Sequence, residues 1–202
     1  MKRFVTGTDT GVGKTFVTRR LVEELCAAGR PACAIKPIET GWDEVTSDAR
    51  LLAEASGRSI EDTVHLRFSA PRSPRAAASA EGRTIDFDAL VSWCRVQPGS
   101  PLFLEGAGGW AVPIDHRRMA DLALATADTI LVVARAGLGT INHAVLTIEA
   151  ARQARPVEAV ILSCRPEDDV DFARENAEAI AELTGAFAAL FPQDLRILLD
   201  RL

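Results

Sequence analysis

The sequence predicts one α/β domain over residues 1–202, with a mostly parallel β-sheet covered by helices on both faces. Short and almost continuously apolar runs, such as Val157–Leu162, alternate with helix-compatible segments, such as Val170–Thr184. Strands of that kind are typical of parallel sheets that are buried on both faces. A glycine-rich segment, Gly7–Thr15, joins the first apolar run to the first helical segment. There is no internal repeat or linker, and 202 residues suffice for one sizeable core.

The composition is that of an ordinary globular protein, with 48% hydrophobic and 25% charged residues. The net charge of −5 argues against a general nucleic-acid binder, which would usually be basic. No window approaches the ~18 apolar residues of a membrane span, so we expect no membrane partner. The four cysteines are scattered without a C-x-x-C pair, which favours free thiols and a cytoplasmic location.

The first half of the chain alternates strands and helices as follows. Phe4 and Val5 begin the first strand, and a helix is predicted over Phe16–Ala28, ended by a glycine and a proline. Ala32–Ile35 predicts a second strand, followed by a polar turn at Glu39–Gly41. A helix is expected over Ser47–Ala55 because Ser47 is a good N-cap and an aspartate follows it.

The second half begins with Gly57–Arg83, which has no clear period and predicts an irregular excursion with a short helix. A helix over Asp86–Val96 and an apolar strand over Leu102–Glu105 follow. Phe191–Leu202 predicts a short terminal helix. Between these, the alternation predicts helices at Met119–Thr126, Ile141–Gln153 and Val170–Thr184 and strands at Thr129–Val133 and Val157–Leu162.

The segment Gly7–Thr15, GTDTGVGKT, has the composition and the strand-to-helix setting of a phosphate-binding loop. Its glycines let backbone N–H groups approach an anion, and the positive end of the following helix points at the same place. Lys14 would reach the β- and γ-phosphates of ATP, and the Thr15 hydroxyl would bind Mg²⁺. The loop is one residue longer between its glycines than the usual pattern, and the alternative is a turn that merely joins strand to helix. The predicted ATP-binding residues are Gly11, Val12, Gly13, Lys14, Thr15 and Phe16.

Other strand ends carry charged groups, and ligands bind at the carboxyl ends of the strands in such sheets. Glu105 closes an apolar strand, where a poorly solvated carboxylate would bind Mg²⁺ together with Thr15 or else cap backbone N–H groups. Asp48 could complete the metal site or only satisfy the start of its helix. Lys36 could join Lys14 in neutralising a transferring phosphoryl group, or be a solvated surface lysine.

Five runs together resemble the motifs of the dethiobiotin synthetase family. They occur in that family's order and extend from residue 5 to about residue 150. The runs are GTDTGVGKT at 7–15, KPIETG at 36–41, SDA at 47–49, EGAGGW at 105–110 followed by Val112-Pro113, and AGLGTINH at 136–143.

The resemblance implies an ATP- and Mg²⁺-dependent enzyme of biotin biosynthesis. In the family, 7,8-diaminononanoate reacts with carbon dioxide to give a carbamate, whose oxygen attacks the γ-phosphate of ATP to form a carbamic-phosphoric anhydride. The second amine then displaces phosphate and closes the cyclic urea of dethiobiotin, which leaves ADP. Such an enzyme is a ligase that closes a ring by forming carbon–nitrogen bonds.

By matching position, the resemblance also implies roles for single residues. Mg²⁺ would be held by Thr15, Asp48 and Glu105. Lys14, Lys36 and Thr10 would act on the carbamate and the γ-phosphoryl group, and Thr40 would lie on the diamine side. The family binds the substrate carboxylate across a dimer interface near residues 137–142, so a homodimer is implied. The further substrate-binding residues would be Gly106, Gly108, Gly139, Thr140, Ile141 and Asn142.

The chain departs from the family at three places. Cys164 stands where the family commonly has an asparagine that contacts the nucleobase, and a thiol replaces poorly an amide that both donates and accepts. The run Pro71–Arg75 lacks the family's histidine, and the C-terminal part lacks a glycine-proline turn near the nucleotide. We therefore predict intact phosphate and metal chemistry but weak discrimination between ATP and other triphosphates.

Two other classes compete with the ligase. One is an ATPase switch of the partitioning and septum-site type, which carries a lysine five residues before the loop lysine, where this chain has Asp9. The other is a member that binds nucleotide but has lost turnover, which only the Cys164 region supports. An amidotransferase-linked ligase would need an additional glutaminase domain, for which the chain has no room.

Overall fold

The computed structural model describes residues 1–202 as one seven-stranded parallel sheet with helices on both faces. The spatial order of the strands is β3-β2-β4-β1-β5-β6-β7, so the first strand lies at the centre. The strands are β1 (Lys2–Gly7), β2 (Cys33–Thr40), β3 (Val64–Phe68), β4 (Leu102–Gly109), β5 (Thr129–Arg135), β6 (Val157–Ser163) and β7 (Ala188–Phe191).

Nine helices cover the sheet, and the chain folds as the predicted α/β class. They are α1 (Lys14–Ala27), α2 (Asp48–Ser56), α3 (Ile60–Thr63), α4 (Pro74–Ala80), α5 (Phe87–Val96), α6 (Met119–Thr126), α7 (Thr140–Arg152), α8 (Val170–Thr184) and α9 (Leu195–Arg201). No helix is long and apolar enough to cross a membrane.

Two hydrophobic cores lie on the two faces of the sheet. Neighbouring residues of β1 point to opposite faces, so that Phe4 belongs to one core and Val5 to the other. The first core packs α4 to α8 against the sheet, and the second packs α1, α2 and α9. The inner strands of this sheet are buried on both faces, so their sequences are almost continuously apolar. This apolar pattern allowed the strands to be predicted from the sequence.

The two edge strands were not predicted. β3 lies inside the excursion Gly57–Arg83, where His65 is exposed and Leu66 and Arg67 are partly buried, so the strand has no continuous apolar run. β7 is a run of four residues, Ala188–Phe191, that pairs with β6; its first three residues had no predicted element, and Phe191 was placed at the start of the terminal helix. The weak signal of β3 follows from the polar residues of this edge strand, whereas β7 is buried and apolar but too short to show a period.

Two predicted strand ends were also wrong. β2 continues to Thr40, because its second half pairs with the unpredicted β3, so Glu39 and Thr40 lie in a strand and not in a turn. β4 continues through the glycines to Gly109, and Glu105 is opposite Val5 in the middle of the sheet. The expected strand-terminal carboxylate is therefore a buried carboxylate inside the sheet.

Candidate active site

The loop between β1 and α1 exposes backbone donors at the centre of the sheet. Gly11 and Gly13 have φ angles of 71° and 95°, values that only glycine adopts without strain. α1 begins directly after Gly13 and has no side chain that caps its first N–H groups. A free helix N-terminus at the end of a central parallel strand is a ready site for phosphate.

Lys14 folds back over this loop. Its Nζ donates a hydrogen bond to the Asp9 carbonyl at 3.1 Å, and the side chain is buried. Close packing explains the first glycine, because a Cβ on Gly7 would lie 2.9 Å from the Lys14 Nζ. Burial and, to a smaller extent, the positive charge of Lys36 lower the pKa of Lys14 from 10.5 to about 8, against the attraction of nearby carboxylates. The Lys14 ammonium has no ion-pair partner in the protein. A phosphate of ATP could be that partner.

The side chains of Lys36, Asp48, Glu105 and Thr15 form one connected cluster beside the loop. The Lys36 Nζ donates to Glu105 Oε1 at 2.6 Å and to Asp48 Oδ2 at 2.9 Å. The Thr15 hydroxyl donates to the same Glu105 oxygen at 2.6 Å. Glu105 is 0% exposed and Lys36 is 3% exposed, whereas the Asp48 side chain is 43% exposed, so water reaches the cluster at Asp48. The alternative of a solvated Lys36 is wrong, and Glu105 does not cap backbone N–H groups.

Mutual attraction fixes the charges of this cluster. Burial is the largest influence on the pKa of Lys36 and would lower it, but Glu105 and Asp48 together outweigh burial and raise this pKa. Burial would likewise raise the pKa of Asp48, whereas the charge and hydrogen bond of Lys36 hold it below its ordinary value. The ammonium and the Asp48 carboxylate are therefore both charged at neutral pH.

One oxygen of the cluster has no partner in the protein. Glu105 Oε2 is buried and makes no hydrogen bond, which is costly for a carboxylate oxygen. A divalent cation would satisfy it, and oxygen donors from Thr15 and Asp48 lie in the same cluster. No three His, Cys, Asp or Glu side chains converge to hold a metal, so phosphate oxygens would have to complete the coordination. This donor set fits Mg²⁺, which is usually bound by one or two carboxylates and substrate phosphates.

Two cavities open on either side of the loop. The first, here called the Lys36 cavity, has a volume of about 560 Å³ and contains most of the predicted catalytic and metal-binding residues. Thr10, Thr40 and Gly108 lie in its wall, as do residues of the segment Pro71–Pro74. The other predicted residues in the wall of the Lys36 cavity are Gly11, Gly13, Lys14, Thr15, Phe16, Lys36 and Asp48.

The second, here called the Cys164 cavity, has a volume of about 690 Å³ and shares the loop residues Gly11, Gly13 and Phe16 with the first. Cys164 lies in its wall, where its Sγ donates to the Leu162 carbonyl at 3.7 Å. Burial raises the pKa of this thiol. Exposed Arg135 and Arg165 and partly buried Asp168 are the charged groups on the side of Cys164, and Asp9, Thr10 and Ser163 are further polar residues of the wall. Val12, also predicted to bind ATP, is buried in the wall of this cavity.

Two groups of predicted substrate residues lie outside the Lys36 cavity. Gly106 faces the core, where an added Cβ would lie 2.9 Å from Phe4. Gly139, Ile141 and Asn142 line a separate groove of about 570 Å³ between α7 and α8. Thr140 is buried, and its hydroxyl donates to the Arg135 carbonyl at 2.6 Å.

Glu39 is a site residue that sequence reasoning missed. It was placed in a turn, whereas it lies in the wall of the Lys36 cavity and is only 5% exposed. Its carboxylate accepts from the backbone N–H groups of Asp48 and Ala49 at 2.7 and 2.9 Å. Burial raises its pKa despite these hydrogen bonds. A signal existed, since a glutamate three residues after Lys36 continues an otherwise apolar strand.

Comparison with known proteins agrees with this geometry. An AAA domain family model matches residues 2–194. The chain is 46% identical over 189 residues to the ATP-dependent dethiobiotin synthetase BioD of Anaeromyxobacter dehalogenans (strain 2CP-C), covering 90% of this chain and 84% of that protein. It is 42% identical to the protein of the same name from Aquifex aeolicus (strain VF5), covering 92% and 86%.

Solved structures show the fold alone. A chain of the MinC:MinD cell division protein complex from Aquifex aeolicus matches with a TM-score of 0.58 at 16% identity, over 99% of this chain and 85% of that chain. A ParA family ATPase from Chlorobium tepidum TLS matches with a TM-score of 0.56 at 13% identity, over 98% and 86%. Such low identities carry no functional assignment, whereas the sequence relatives extend over nearly the whole chain. The chain therefore belongs to the dethiobiotin synthetase family.

Proposed function

We propose that this protein is an ATP-dependent dethiobiotin synthetase that carboxylates 7,8-diaminononanoate with carbon dioxide and closes the ring to dethiobiotin, with release of ADP and phosphate. The observation that carries the proposal is the buried cluster of Lys36, Asp48 and Glu105 beside the glycine-rich loop. Phosphoryl transfer depends on the positions of the reacting groups and on the neutralisation of their charge. This cluster supplies both at the N-terminus of α1.

The loop and Lys14 would bind the phosphates of ATP. The uncapped N-terminus of α1 offers backbone N–H donors, and the buried ammonium of Lys14 gains an anionic partner when nucleotide binds. Thr15, Asp48 and Glu105 would hold Mg²⁺, which supplies additional positive charge to the phosphate oxygens when bound. The unpaired Glu105 Oε2 supports that assignment.

Lys36 would stabilise the reacting groups from the other side. Its ammonium is held by two carboxylates, so its position is fixed before substrate arrives. A carbamate oxygen that attacks the γ-phosphate brings two anions together, and a fixed cation between them lowers that repulsion. Thr10 and Thr40, in the wall of the same cavity, would orient the diamine and the carbamate.

The proposed enzyme is a homodimer. Residues implied in carboxylate binding line the groove between α7 and α8, not the Lys36 cavity. Leu138, Leu146 and Leu183, which also line that groove, are 86%, 58% and 68% exposed. Apolar exposure of this kind favours an interface. Sedimentation equilibrium should give twice the chain mass, and Leu146→Glu should shift it toward the monomer; a wild-type monomer at assay concentrations would contradict the dimer.

The deciding experiment measures phosphate release with Mg²⁺-ATP and bicarbonate, with and without 7,8-diaminononanoate, and identifies the organic product by mass. We expect release to depend on the diamine and to yield the cyclic urea. Release without the diamine would indicate the ATPase switch, and binding of ATP without any release would indicate the non-catalytic binder. Asp9 is exposed and its carboxylate accepts from the Thr10 N–H, so a carboxylate occupies the place of the switch lysine.

A further inference from the structure

Glu39 lies in the wall of the Lys36 cavity, yet its carboxylate is directed at a helix. Its two oxygens accept separately from Asp48 N at 2.7 Å and from Ala49 N at 2.9 Å, the first two N–H groups of α2. These groups have no partner inside the helix, because the first four N–H groups of any α-helix lack one. A side chain from β2 therefore binds the backbone at the beginning of α2.

The N-cap residue of α2 performs a different task. Ser47 Oγ accepts from Arg50 N at 3.2 Å and makes no bond to the N–H groups of Asp48 or Ala49. Ser47 thus caps the helix locally, whereas Glu39 joins the first turn of α2 to strand β2. The two residues can be removed one at a time, and the effects compared.

β2 holds Asp48 at two points. The Lys36 ammonium binds the Asp48 carboxylate at 2.9 Å, and Glu39, three residues along the same strand, binds the Asp48 backbone. Asp48 itself is only partly buried, so its side chain lacks a close-packed cage that would fix it. Without Glu39, the Lys36–Asp48 ion pair would be the only remaining hydrogen bond from the side chains of this strand to the first turn of α2.

We infer that Glu39 is a positioning residue, which fixes the first turn of α2 so that the Asp48 carboxylate stands at the metal-binding cluster. The inference rests on the proposed function, in which Asp48 helps to hold Mg²⁺. Partners that orient a metal ligand typically contribute 10- to 100-fold in metal affinity or activity. Glu39 makes no contact with the reacting atoms in this assignment.

The test compares Glu39→Ala and Glu39→Gln with the matched control Ser47→Ala. Mg²⁺ is titrated at saturating ATP and diamine, and ADP affinity is measured by calorimetry with Mg²⁺ and with chelator. We expect Glu39→Ala to raise the half-saturating Mg²⁺ concentration roughly tenfold or more. The affinity for ADP in chelator should stay unchanged, and Glu39→Gln, which keeps one acceptor, should lie between Glu39→Ala and wild type.

Ser47→Ala removes a bond from the same helical turn, so it should lower the melting temperature while leaving the Mg²⁺ requirement as in wild type. Backbone amide exchange at Asp48 and Ala49 should accelerate in Glu39→Ala only. An unchanged Mg²⁺ requirement in folded Glu39→Ala, or an equal rise in Ser47→Ala, would overturn the inference. If Glu39→Ala does not fold, Glu39→Gln decides by the same comparison. Should wild type release no phosphate with the diamine, the ADP affinities with and without Mg²⁺ still decide the role of Glu39.

Discussion

The two cavities beside the phosphate-binding loop are built in opposite ways. In the Lys36 cavity, Lys36 is buried and forms ion pairs with both the buried Glu105 and the partly buried Asp48. In the Cys164 cavity, the arginines are exposed, and the thiol contacts a backbone carbonyl of its own segment. A buried side chain whose hydrogen bonds are satisfied is held in one conformation, whereas an exposed side chain can adopt many. The comparison teaches that ion pairs position the side chains proposed for phosphoryl transfer, whereas the thiol of Cys164, proposed to face the nucleobase, makes a single weak hydrogen bond.

The largest effect should come from Lys36. In Lys36→Ala, turnover should fall by about 10²- to 10³-fold, because one fixed cation at the transferring group is lost. Binding of ATP should change little, since Lys14 and the loop remain. Diamine-dependent phosphate release and calorimetric ATP affinity measure the two quantities. Unchanged turnover would exclude Lys36 from the reaction and remove the main difference between the cavities.

A substitution of Glu105 measures how much the buried ion pair between Lys36 and Glu105 stabilises the fold. In Glu105→Gln, we expect the free energy of unfolding to fall by about 3 kcal/mol, because half of a buried ion pair is removed. Urea denaturation of wild type and variant measures this difference in the free energy of unfolding. The control is Glu23→Gln, which removes a surface partner of Arg19 and Arg20 and should cost less than about 1 kcal/mol. Equal losses for the two variants would mean that the cluster behaves like a surface pair.

Lys14, which lies in the wall of the Lys36 cavity, should make the affinity for ATP and the stability of the protein depend on pH. Its pKa of about 8 lies below its ordinary value of 10.5, so the free protein loses this charge before the unfolded chain does. The affinity for ATP should fall as pH rises through about 8, with proton uptake on binding. The stability of the unliganded protein should instead rise between about pH 8 and 10.5, because the unfolded state then binds more protons.

Calorimetry in two buffers of different ionisation enthalpy measures the proton uptake. Lys14→Met serves as the control, and it should bind ATP more weakly but without the decline near pH 8. A decline of the same size in Lys14→Met would assign the titration to another group.

The smallest effect should appear at the other cavity. Wild type should discriminate weakly between ATP and other triphosphates, and Cys164→Asn should raise the preference for ATP, because an amide both donates and accepts. One added hydrogen bond corresponds to about 0.5–1.5 kcal/mol, or roughly a 2- to 10-fold change in relative kcat/KM. A strong wild-type preference for ATP that does not respond to Cys164→Asn would contradict the contrast between the two cavities.

The sequence predicted best where burial leaves a regular pattern. α6 and α8 begin and end at the predicted residues, and α2 begins after its predicted N-cap, Ser47. The edge strand β3 was missed because His65 and Arg67 interrupt its apolar run, and β7 was missed because an apolar run of only four residues cannot be told from part of a helix by its period. For the site, residue types at predicted strand ends indicated Lys36 and Glu105, although both lie within strands, and the first turn of a predicted helix indicated Asp48.

What the sequence by itself determined is the α/β class, the phosphate-binding loop and the set of residues that could serve the chemistry. These follow from local patterns of glycine, charge and apolar period, which need no distant partner. Only the tertiary structure decided that Lys36 is bound by both carboxylates, that Glu105 Oε2 is left without a partner, and that Glu39 binds the start of α2. The reason is that each of these facts depends on strand order and register: β2 lies beside β4, and pairing of β2 with the unpredicted β3 holds Glu39 within its strand.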